Sequence, residues 1–182
     1  YVGWGGLADA FDETKSAWET EYLELKTVLT PEEYAAARAS TLNAHYTQPI
    51  VIESMYQALE NLGFTKGNIL EPSMGVGNFF GMLPEKLNQS KLYGVELDSI
   101  SGRIAKLLYP DANIQIKGFE KTDYPNDFFD VAIGNVPFGA YKVNDRQYDR
   151  YNFMIHDYFL AKTIDQLRPG GVAASVSYTH LR

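Results

Sequence analysis

The stretch LEPSMGVGNFFG, residues 70–81, joins the end of a predicted strand to the start of a predicted helix. Glycines in such a turn let the backbone change direction sharply and let a ligand approach it closely. The spacing Gly75-x-Gly77-x-x-x-Gly81 has one residue more than the dinucleotide-binding fingerprint. Glu71 precedes the glycines, and a carboxylate there favours a cationic ligand over a pyrophosphate. The stretch predicts a ligand-binding turn, with an ordinary glycine-rich connection as the alternative.

Strands and helices alternate along the chain from residue 67 onward. This alternation predicts an α/β fold in which helices flank a mainly parallel sheet. In sheets of this kind, ligands bind at the carboxyl ends of the strands. The predicted strands are 68–72, 91–98, 113–120, 128–135 and 172–177, and the predicted helices are 78–87, 99–110 and 151–171.

The first 62 residues are predicted to be helical. Thr30 caps one helix, Pro31 takes its first position, and Glu33 closes a capping box. We divide the chain into a helical extension (1–44), a core (45–176) and a tail, SYTHLR (177–182), which we interpret as non-native. Because the chain begins without Met and stops within a predicted strand, we expect a C-terminally truncated piece of a larger protein.

Bulk composition excludes several classes of protein. The 182 residues are 45% hydrophobic, which is enough for a core, yet no apolar run is long enough to span a membrane. The chain has no Cys, and its three His show no metal-ligand spacing, so we expect neither disulfides nor a bound metal. No signal peptide is recognisable at the start, and we expect a cytoplasmic protein.

The net charge of −7 lies in the first third of the chain, since residues 61–182 are balanced. Affinity for nucleic acid depends mainly on Lys and Arg that neutralise phosphates. If DNA is a partner, its basic contact surface must therefore be local or come from other domains.

Two further strand ends carry polar or aromatic side chains. Glu96, at the end of the second strand, can accept both hydroxyls of a ribose, whereas Asp98 fits the N-cap of the next helix. Phe119 and Glu120 follow the third strand and could contact a purine ring and its amine. Surface charge is an equal alternative for Glu120.

The fourth strand ends in DVAIGNVPFGAY, residues 130–141. Pro and Gly end strands and Phe fills gaps, so a purely structural explanation exists. The alternative is that Asn135 and Phe138 hold a flat substrate that bears an amine. Four successive strand ends with ligand-binding residue types favour this second interpretation.

The motifs EPSMGVGNF, GVELD and GNVPF, in this order, resemble the Rossmann-like S-adenosyl-L-methionine-dependent amino-methyltransferases. The likeness is to N6-adenine DNA methyltransferases in particular, whose signature is Asn/Asp-Pro-Pro-Tyr/Phe, and it covers about residues 45–176. HYTQP resembles the segment that closes over the methionine end of the cofactor in these enzymes. The chain also resembles the methylase part of large helicase–methylase proteins of mobile elements and phages. The stretches that carry this second resemblance are GWGGL, LTPEEYAAARASTLNAHYT, IHDYF and RPGG.

The resemblance implies a role for each matching residue. Asn135 and the Val136 carbonyl would accept hydrogen bonds from the target amine, Phe138 would stack on its ring, and a target base would be flipped out of a duplex. DNA, with a fused helicase domain, is the implied partner. The implied catalytic segment is Asn135, Val136, Pro137 and Phe138, and the implied cofactor-binding residues are Tyr46, Thr47, Glu71, Pro72, Ser73, Gly75, Gly77, Glu96, Leu97, Phe119 and Glu120.

Two departures from the signature keep alternatives open. Val136 replaces the usual first proline, and Phe119 stands where Asp or Asn is usual. Methylation of RNA or of a protein glutamine uses the same chemistry, and a cofactor-binding piece without turnover is a further alternative. A nicotinamide-dependent oxidoreductase would need a different glycine spacing. Residues 141–151 are either a substrate-contacting loop or a solvated one, and His156 is expected to be buried or capping rather than catalytic.

Overall fold

The computed structural model describes residues 3–41 and 47–176. Its α-helices are α1 (Glu19–Val28), α2 (Pro31–Ser40), α3 (Pro49–Asn61), α4 (Asn78–Gly81), α5 (Ser99–Leu108) and α6 (Ile155–Gln166). Its strands are β1 (Asn68–Glu71), β2 (Lys91–Glu96), β3 (Asn113–Ile116), β4 (Phe129–Asn135) and β5 (Leu167–Val176). Short 3-10 turns lie at Ala8–Phe11, Ser16–Trp18, Glu85–Leu87, Phe119–Lys121 and Asp149–Tyr151.

The five strands form one sheet in the order β3-β2-β1-β4-β5, and every neighbouring pair is parallel. This confirms the predicted α/β fold with helices flanking a parallel sheet. The chain runs outward from β1 in one direction to β3 and then returns to the other side of β1 with β4. In such doubly wound sheets, a crevice opens at the carboxyl ends of the strands where the order reverses. Here that point lies between β1 and β4.

Successive residues of a strand point to opposite faces of the sheet, and the core follows this rule. Ile69 packs with Ile52 and Tyr56 of α3 on one face. Its neighbour Leu70 packs with Phe159 of α6 on the other face. Both strand residues are fully buried, so β1 is the centre of the core as well as of the sheet.

Two predicted helices are shorter than expected. The helix predicted over residues 78–87 ends at Gly81, because Pro84 disfavours helical backbone before it, and only a 3-10 turn follows. The helix predicted over residues 151–171 runs only from Ile155 to Gln166. Leu167 is already extended and pairs with Phe129, so the segment after Gln166 belongs to β5.

Two strand predictions also need correction. The third strand ends at Ile116 rather than at residue 120, and a 3-10 turn takes up its predicted end. The fifth strand starts at Leu167, five residues earlier than predicted. Pro169 and Gly170 lie in an irregularity of the β4–β5 pairing, where Gly170 adopts a φ of +83°.

The described part of the amino-terminal extension is helical only from Glu19, since residues 3–18 contain just two 3-10 turns. The predicted capping box at the start of α2 is confirmed: Thr30 Oγ1 accepts from Glu33 N, and Glu33 Oε2 accepts from Thr30 N. Glu33 Oε1 also accepts from an Arg103 nitrogen of α5 at 2.6 Å, which ties the extension to the core. Tyr46 and the predicted tail, residues 177–182, lie outside the described residues.

Among the described residues, no helix combines the length and apolar character that crossing a membrane requires. The same residues contain no group of three or more His, Cys, Asp or Glu side chains that could hold a metal ion.

Candidate active site

A cleft opens at the carboxyl edge of the sheet, where the ends of β1, β2, β3 and β4 meet. Most of the residues predicted from the sequence line it: Thr47, Glu71, Pro72, Ser73, Gly75, Glu96, Leu97, Phe119, Glu120, Asn135 and Pro137. The structure does not bring Gly77, Val136 or Phe138 to the lining. The cleft thus gathers predicted residues as far apart in the chain as Thr47 and Pro137.

The glycine turn after β1 adopts backbone that only glycine enters easily. Gly75 and Gly77 have φ values of +56° and +86°. A Cβ at Gly77 would lie 2.5 Å from the Tyr109 ring, whereas a Cβ at Gly75 would meet open space. Gly77 therefore allows close packing behind the turn. Gly75 supplies the left-handed conformation at the lining of the cleft.

Hydrogen bonds hold the turn against the neighbouring strands. The Met74 amide donates to the Val95 carbonyl at 2.9 Å. On the other side, the Ser73 hydroxyl donates to the Asn135 carbonyl at 2.6 Å. The turn is therefore fixed to β2 and β4 at once, and the position of Asn135 depends on it.

Glu71 is a buried carboxyl group at the end of β1, with only 2% of its surface exposed. Burial raises its pKa well above the usual value, and the nearby Glu96 carboxylate adds to the rise. Its Oε2 makes no hydrogen bond with any described residue, and the same holds for the buried Oγ1 of Thr47. Buried polar atoms normally have partners, so these two atoms on the lining indicate a place for a polar ligand.

Glu96 accepts two backbone hydrogen bonds, from the Gly75 amide and from the Asp98 amide, each at 2.7 Å. Burial raises the pKa of Glu96 to about 7, although these hydrogen bonds work against the rise. Asp98 caps α5 by accepting from Ile100 N at 3.3 Å and Ser101 N at 3.0 Å, as the sequence predicted. Because Asp98 caps α5, Glu96 does not serve as the cap, and its residue lines the cleft.

The end of β3 contributes an aromatic ring and a carboxylate. Phe119 lines the cleft, but it is only 2% exposed and packs against Phe159 with ring centroids 4.9 Å apart. The Glu120 side chain is 20% exposed, and its Oε1 lies 4.0 Å from Lys121 Nζ. Phe119 is mainly a core residue with one edge at the cleft, while Glu120 combines surface and cleft exposure.

The segment after β4 alternates between the cleft and the core. Asn135 and Pro137 line the cleft, whereas Val136 is buried in the core beside α6. The Val136 amide donates to the Val176 carbonyl of β5 at 3.3 Å. Alternation of this kind is the geometry of extended backbone, and it leaves Phe138 off the lining.

Residues 141–151, expected to be either a substrate-contacting loop or a solvated one, contribute to the lining of the cleft. Tyr141 and Val143 line the cleft, and the Tyr141 carbonyl accepts from the Ile155 amide at 3.0 Å. Asp145 Oδ2 accepts from Tyr158 at 2.7 Å and from Lys162 at 3.1 Å. Buried side chains of α6 thus anchor this otherwise largely exposed segment at Asp145.

A lysine that follows Ile155, Tyr158 and Phe159 at helical spacing was the signal that could have revealed this anchor. Lys162 is only 6% exposed, and its Nζ also donates to the Phe119 carbonyl at 2.9 Å. Buried lysines are almost always paired, so its partner had to lie in a neighbouring segment. Burial alone would raise the pKa of Asp145, but hydrogen bonds from Tyr158 and Lys162 outweigh it and leave that pKa below its usual value.

His156 lies outside the cleft lining. Its side chain is 39% exposed, and its Nε2 lies 3.5 Å from Asp157 Oδ1. The residue is half-buried in the first turn of α6, and its Nδ1 is enclosed by the protein. The expectation that His156 is buried or capping is therefore met only in part.

No protein-family model matches the chain. Among curated proteins, the chain is 36% identical over 141 residues to the defense against restriction protein B of Escherichia phage P1. This match covers 72% of the chain but only 6% of that protein, so the chain spans a small part of the relative's length.

Solved structures share the fold at low sequence identity. A type I restriction-modification methyltransferase subunit from Streptococcus thermophilus has a TM-score of 0.57 at 16% identity, covering 90% of this chain and 42% of that one. A SAM-dependent O-methyltransferase from Thermotoga maritima has a TM-score of 0.53 at 16% identity, covering 75% and 46%. An rRNA methylase from Streptococcus thermophilus has a TM-score of 0.52 at 19% identity, covering 75% and 74%. The sheet and its helices thus match the Rossmann-like methyltransferase fold.

Proposed function

We propose that this chain binds S-adenosyl-L-methionine and transfers its methyl group to the exocyclic N6 amine of adenine in DNA, as part of a larger DNA-modifying protein. The observation that carries the proposal is the single cleft at the β1/β4 crevice. It brings the two carboxyl groups of Glu71 and Glu96 together with Asn135. The fold is that of methyltransferases acting on several substrate classes.

The residues present fit the cofactor. Glu71 Oε2 and Thr47 Oγ1, both buried and without a partner in the described part of the chain, suit the ammonium and carboxylate groups of the amino-acid end. Glu96 suits the ribose, because a carboxylate at the end of the second strand can accept from both hydroxyls. Glu120 and the edge of Phe119 suit the adenine, and the left-handed turn at Gly75 lets the ligand approach the backbone. We assign Tyr46, Pro72, Ser73, Gly77 and Leu97 to the same pocket as supporting residues.

When bound, the cofactor supplies an electrophilic methyl group on a sulfonium sulfur. Asn135 and the Val136 carbonyl accept one hydrogen bond each from the target amine. Two acceptors make the nitrogen more tetrahedral, so that its lone pair becomes available for attack. The nitrogen–carbon bond would form at the expense of the cofactor's sulfur–carbon bond, and the extra proton would pass from the methylated nitrogen to water. No strong base is required, and Pro137 restricts the backbone directly after the Val136 carbonyl.

DNA as the substrate is supported by two likenesses. The phage P1 relative is named for defense against restriction, and one solved neighbour is a restriction-modification methyltransferase subunit. We propose that the basic contact surface for DNA lies in other domains, a fused helicase among them, because the net charge of this chain is −7.

Calorimetric titration with S-adenosyl-L-methionine and S-adenosylhomocysteine tests the cofactor. We expect micromolar binding that Glu96→Ala weakens about 10- to 100-fold, since it removes hydrogen bonds to a charged group. Glu85→Ala, which changes an exposed glutamate outside the cleft, is the matched control and should bind as the parent protein does. A folded protein that binds neither compound would contradict the proposed cofactor.

Transfer of labelled methyl groups tests the substrate. Unmethylated genomic DNA, total RNA and a glutamine-containing peptide are offered separately with the same labelled cofactor. We expect label only in DNA, recovered as N6-methyladenine after digestion to nucleosides. Label in RNA or peptide instead of DNA would contradict the proposed substrate, while the proposed cofactor would stand.

A further inference from the structure

Tyr141 is an exposed aromatic residue on the lining of the cleft that also contains Asn135 and Pro137. It is 37% exposed, whereas the phenylalanines Phe79 and Phe119 on the same lining are buried. Phe138 stands closer to Asn135 in the chain but is not on the lining. The alternation that turns Asn135 and Pro137 to the cleft explains this difference.

The Tyr141 ring has room because Gly139 has no side chain. A Cβ at Gly139 would lie 2.8 Å from the ring, which is closer than real Cβ contacts. The ring therefore lies directly over the Gly139 backbone. Any larger residue at position 139 would displace it from its place at the cleft.

The segment that carries Tyr141 is fixed at several points. The Tyr141 carbonyl accepts from the Ile155 amide at 3.0 Å, and Lys142 Nζ donates to Asn152 Oδ1 at 2.5 Å. Asp145 is bound by Lys162 and Tyr158 of α6. A flat ligand thus meets a ring held on a rigid support, which lowers the entropy lost on stacking.

We propose that Tyr141, rather than Phe138, provides the ring that stacks on the target base beside Asn135, and that the Lys162–Asp145 pair positions its segment. This inference rests on the proposed function and specifies the substrate side of the same site. Stacking on an aromatic side chain accepts any base, so Tyr141 contributes affinity for a flat ring, while Asn135 contributes selectivity for an amine.

Fluorine NMR of protein labelled with 3-fluorotyrosine tests the stacking directly. The chain has 13 Tyr, and the Tyr141 signal is assigned as the one that Tyr141→Phe removes. The protein, saturated with S-adenosylhomocysteine, is titrated with a single-stranded oligodeoxyadenylate and, separately, with an abasic oligonucleotide of equal length. We expect the Tyr141 signal to shift with the adenine strand and to stay in place with the abasic one. A signal that stays in place with both, or shifts equally with both, overturns the inference.

Methyl transfer to DNA provides the second readout. Tyr141→Ala should lower kcat/KM for DNA about 10- to 100-fold and leave affinity for S-adenosylhomocysteine unchanged, because only base stacking is lost. Tyr151→Ala, which alters an exposed tyrosine of the same segment outside the cleft, is the matched control. A larger loss in Phe138→Ala than in Tyr141→Ala would assign the stacking ring to Phe138 and overturn the inference. Failure of S-adenosylhomocysteine to bind would instead sink the proposed function, so the two failures are distinguishable.

Discussion

The two sides of the cleft are built from different chemistry. The acidic side includes Glu71 and Glu96 at the ends of β1 and β2, and Glu120 in the 3-10 turn that follows β3. The amide–aromatic side, at and after the end of β4, consists of Asn135, Pro137 and Tyr141, and none of these carries a charge. Carboxylates suit a ligand with a cation and hydroxyls, whereas an amide beside a ring suits a neutral, flat amine.

The two sides also differ in how they are supported. Backbone amides of the glycine turn and of α5 hold Glu96. Side chains of α6, above all Lys162, hold the segment that carries Tyr141. The difference teaches that the acidic side depends on local backbone geometry, and the amide–aromatic side depends on a long-range ion pair. Each of the following experiments tests whether the acidic side and the amide–aromatic side depend on different contacts.

Lys162→Met should have the largest effect on stability. It leaves Asp145 without its cation in a largely buried place, and breaking such a pair costs about 3–5 kcal/mol. Urea unfolding should show this loss in the free energy of unfolding. Arg146→Met, which changes an exposed arginine of the same segment, should lose about 0.5 kcal/mol or less. Equal losses in the two variants would show that the amide–aromatic side does not depend on the ion pair.

Asn135→Ala should have the largest effect on turnover. We expect methyl transfer to fall about 100- to 1,000-fold, as when a group that stabilises the transition state is removed. Affinity for S-adenosylhomocysteine should stay the same, because Asn135 belongs to the other side of the cleft. Asn61→Ala, at the exposed end of α3, is the control. A parallel loss of cofactor affinity in Asn135→Ala would mean that the two sides are not separable.

Affinity for S-adenosylhomocysteine should depend on pH through the acidic side. The pKa of Glu96 is raised to about 7, and the ionised carboxylate is the form that accepts ribose hydroxyls. Below this pKa the folded protein holds a proton that must leave before binding, so affinity should rise about tenfold from pH 6 to pH 8. Calorimetry across this range measures it, and Glu96→Gln should bind weakly and show a smaller rise, since only the Glu71 carboxyl of this pair then remains to titrate. An affinity that does not change with pH in the unaltered protein would contradict the proposal that Glu96 binds the ribose.

Glu33→Gln should have the smallest effect. Gln still closes the capping box of α2, and only the ion pair with Arg103, whose side chain is 66% exposed, is lost. Exposed ion pairs contribute about 0–1 kcal/mol, so thermal unfolding should change little and both ligand affinities should stay the same. A clear loss of cofactor affinity would show that the amino-terminal extension supports the acidic side.

Local rules were enough to predict most of the fold. The central strands, the cap at Asp98 and the capping box at Thr30 follow from neighbours in the sequence, and all are present. The end of α6 could not be predicted this way. Residues after Gln166 become extended because they pair with β4, and this pairing joins residues more than 30 positions apart.

The candidate site likewise contains residues that the sequence could predict and residues that it could not. Glu71 and Glu96 were predictable because a residue that ends a parallel strand must lie at the carboxyl edge of the sheet. Phe138 and Tyr141 were not distinguishable in sequence, since both are aromatic and both follow the same strand. Which of them reaches the cleft depends on the number of extended residues after Asn135 and on the free space over Gly139.

The sequence by itself thus determined the succession of strands and helices along the chain, the helix caps and the residue types at the strand ends. These features depend on contacts between near neighbours. Only the tertiary structure decided that Thr47 and Glu71 present unpartnered polar atoms to one cleft, and that Lys162 supports the segment carrying Tyr141. Burial and pairing of this kind depend on which distant segments pack together, and the spacing of residues along the chain does not encode that directly.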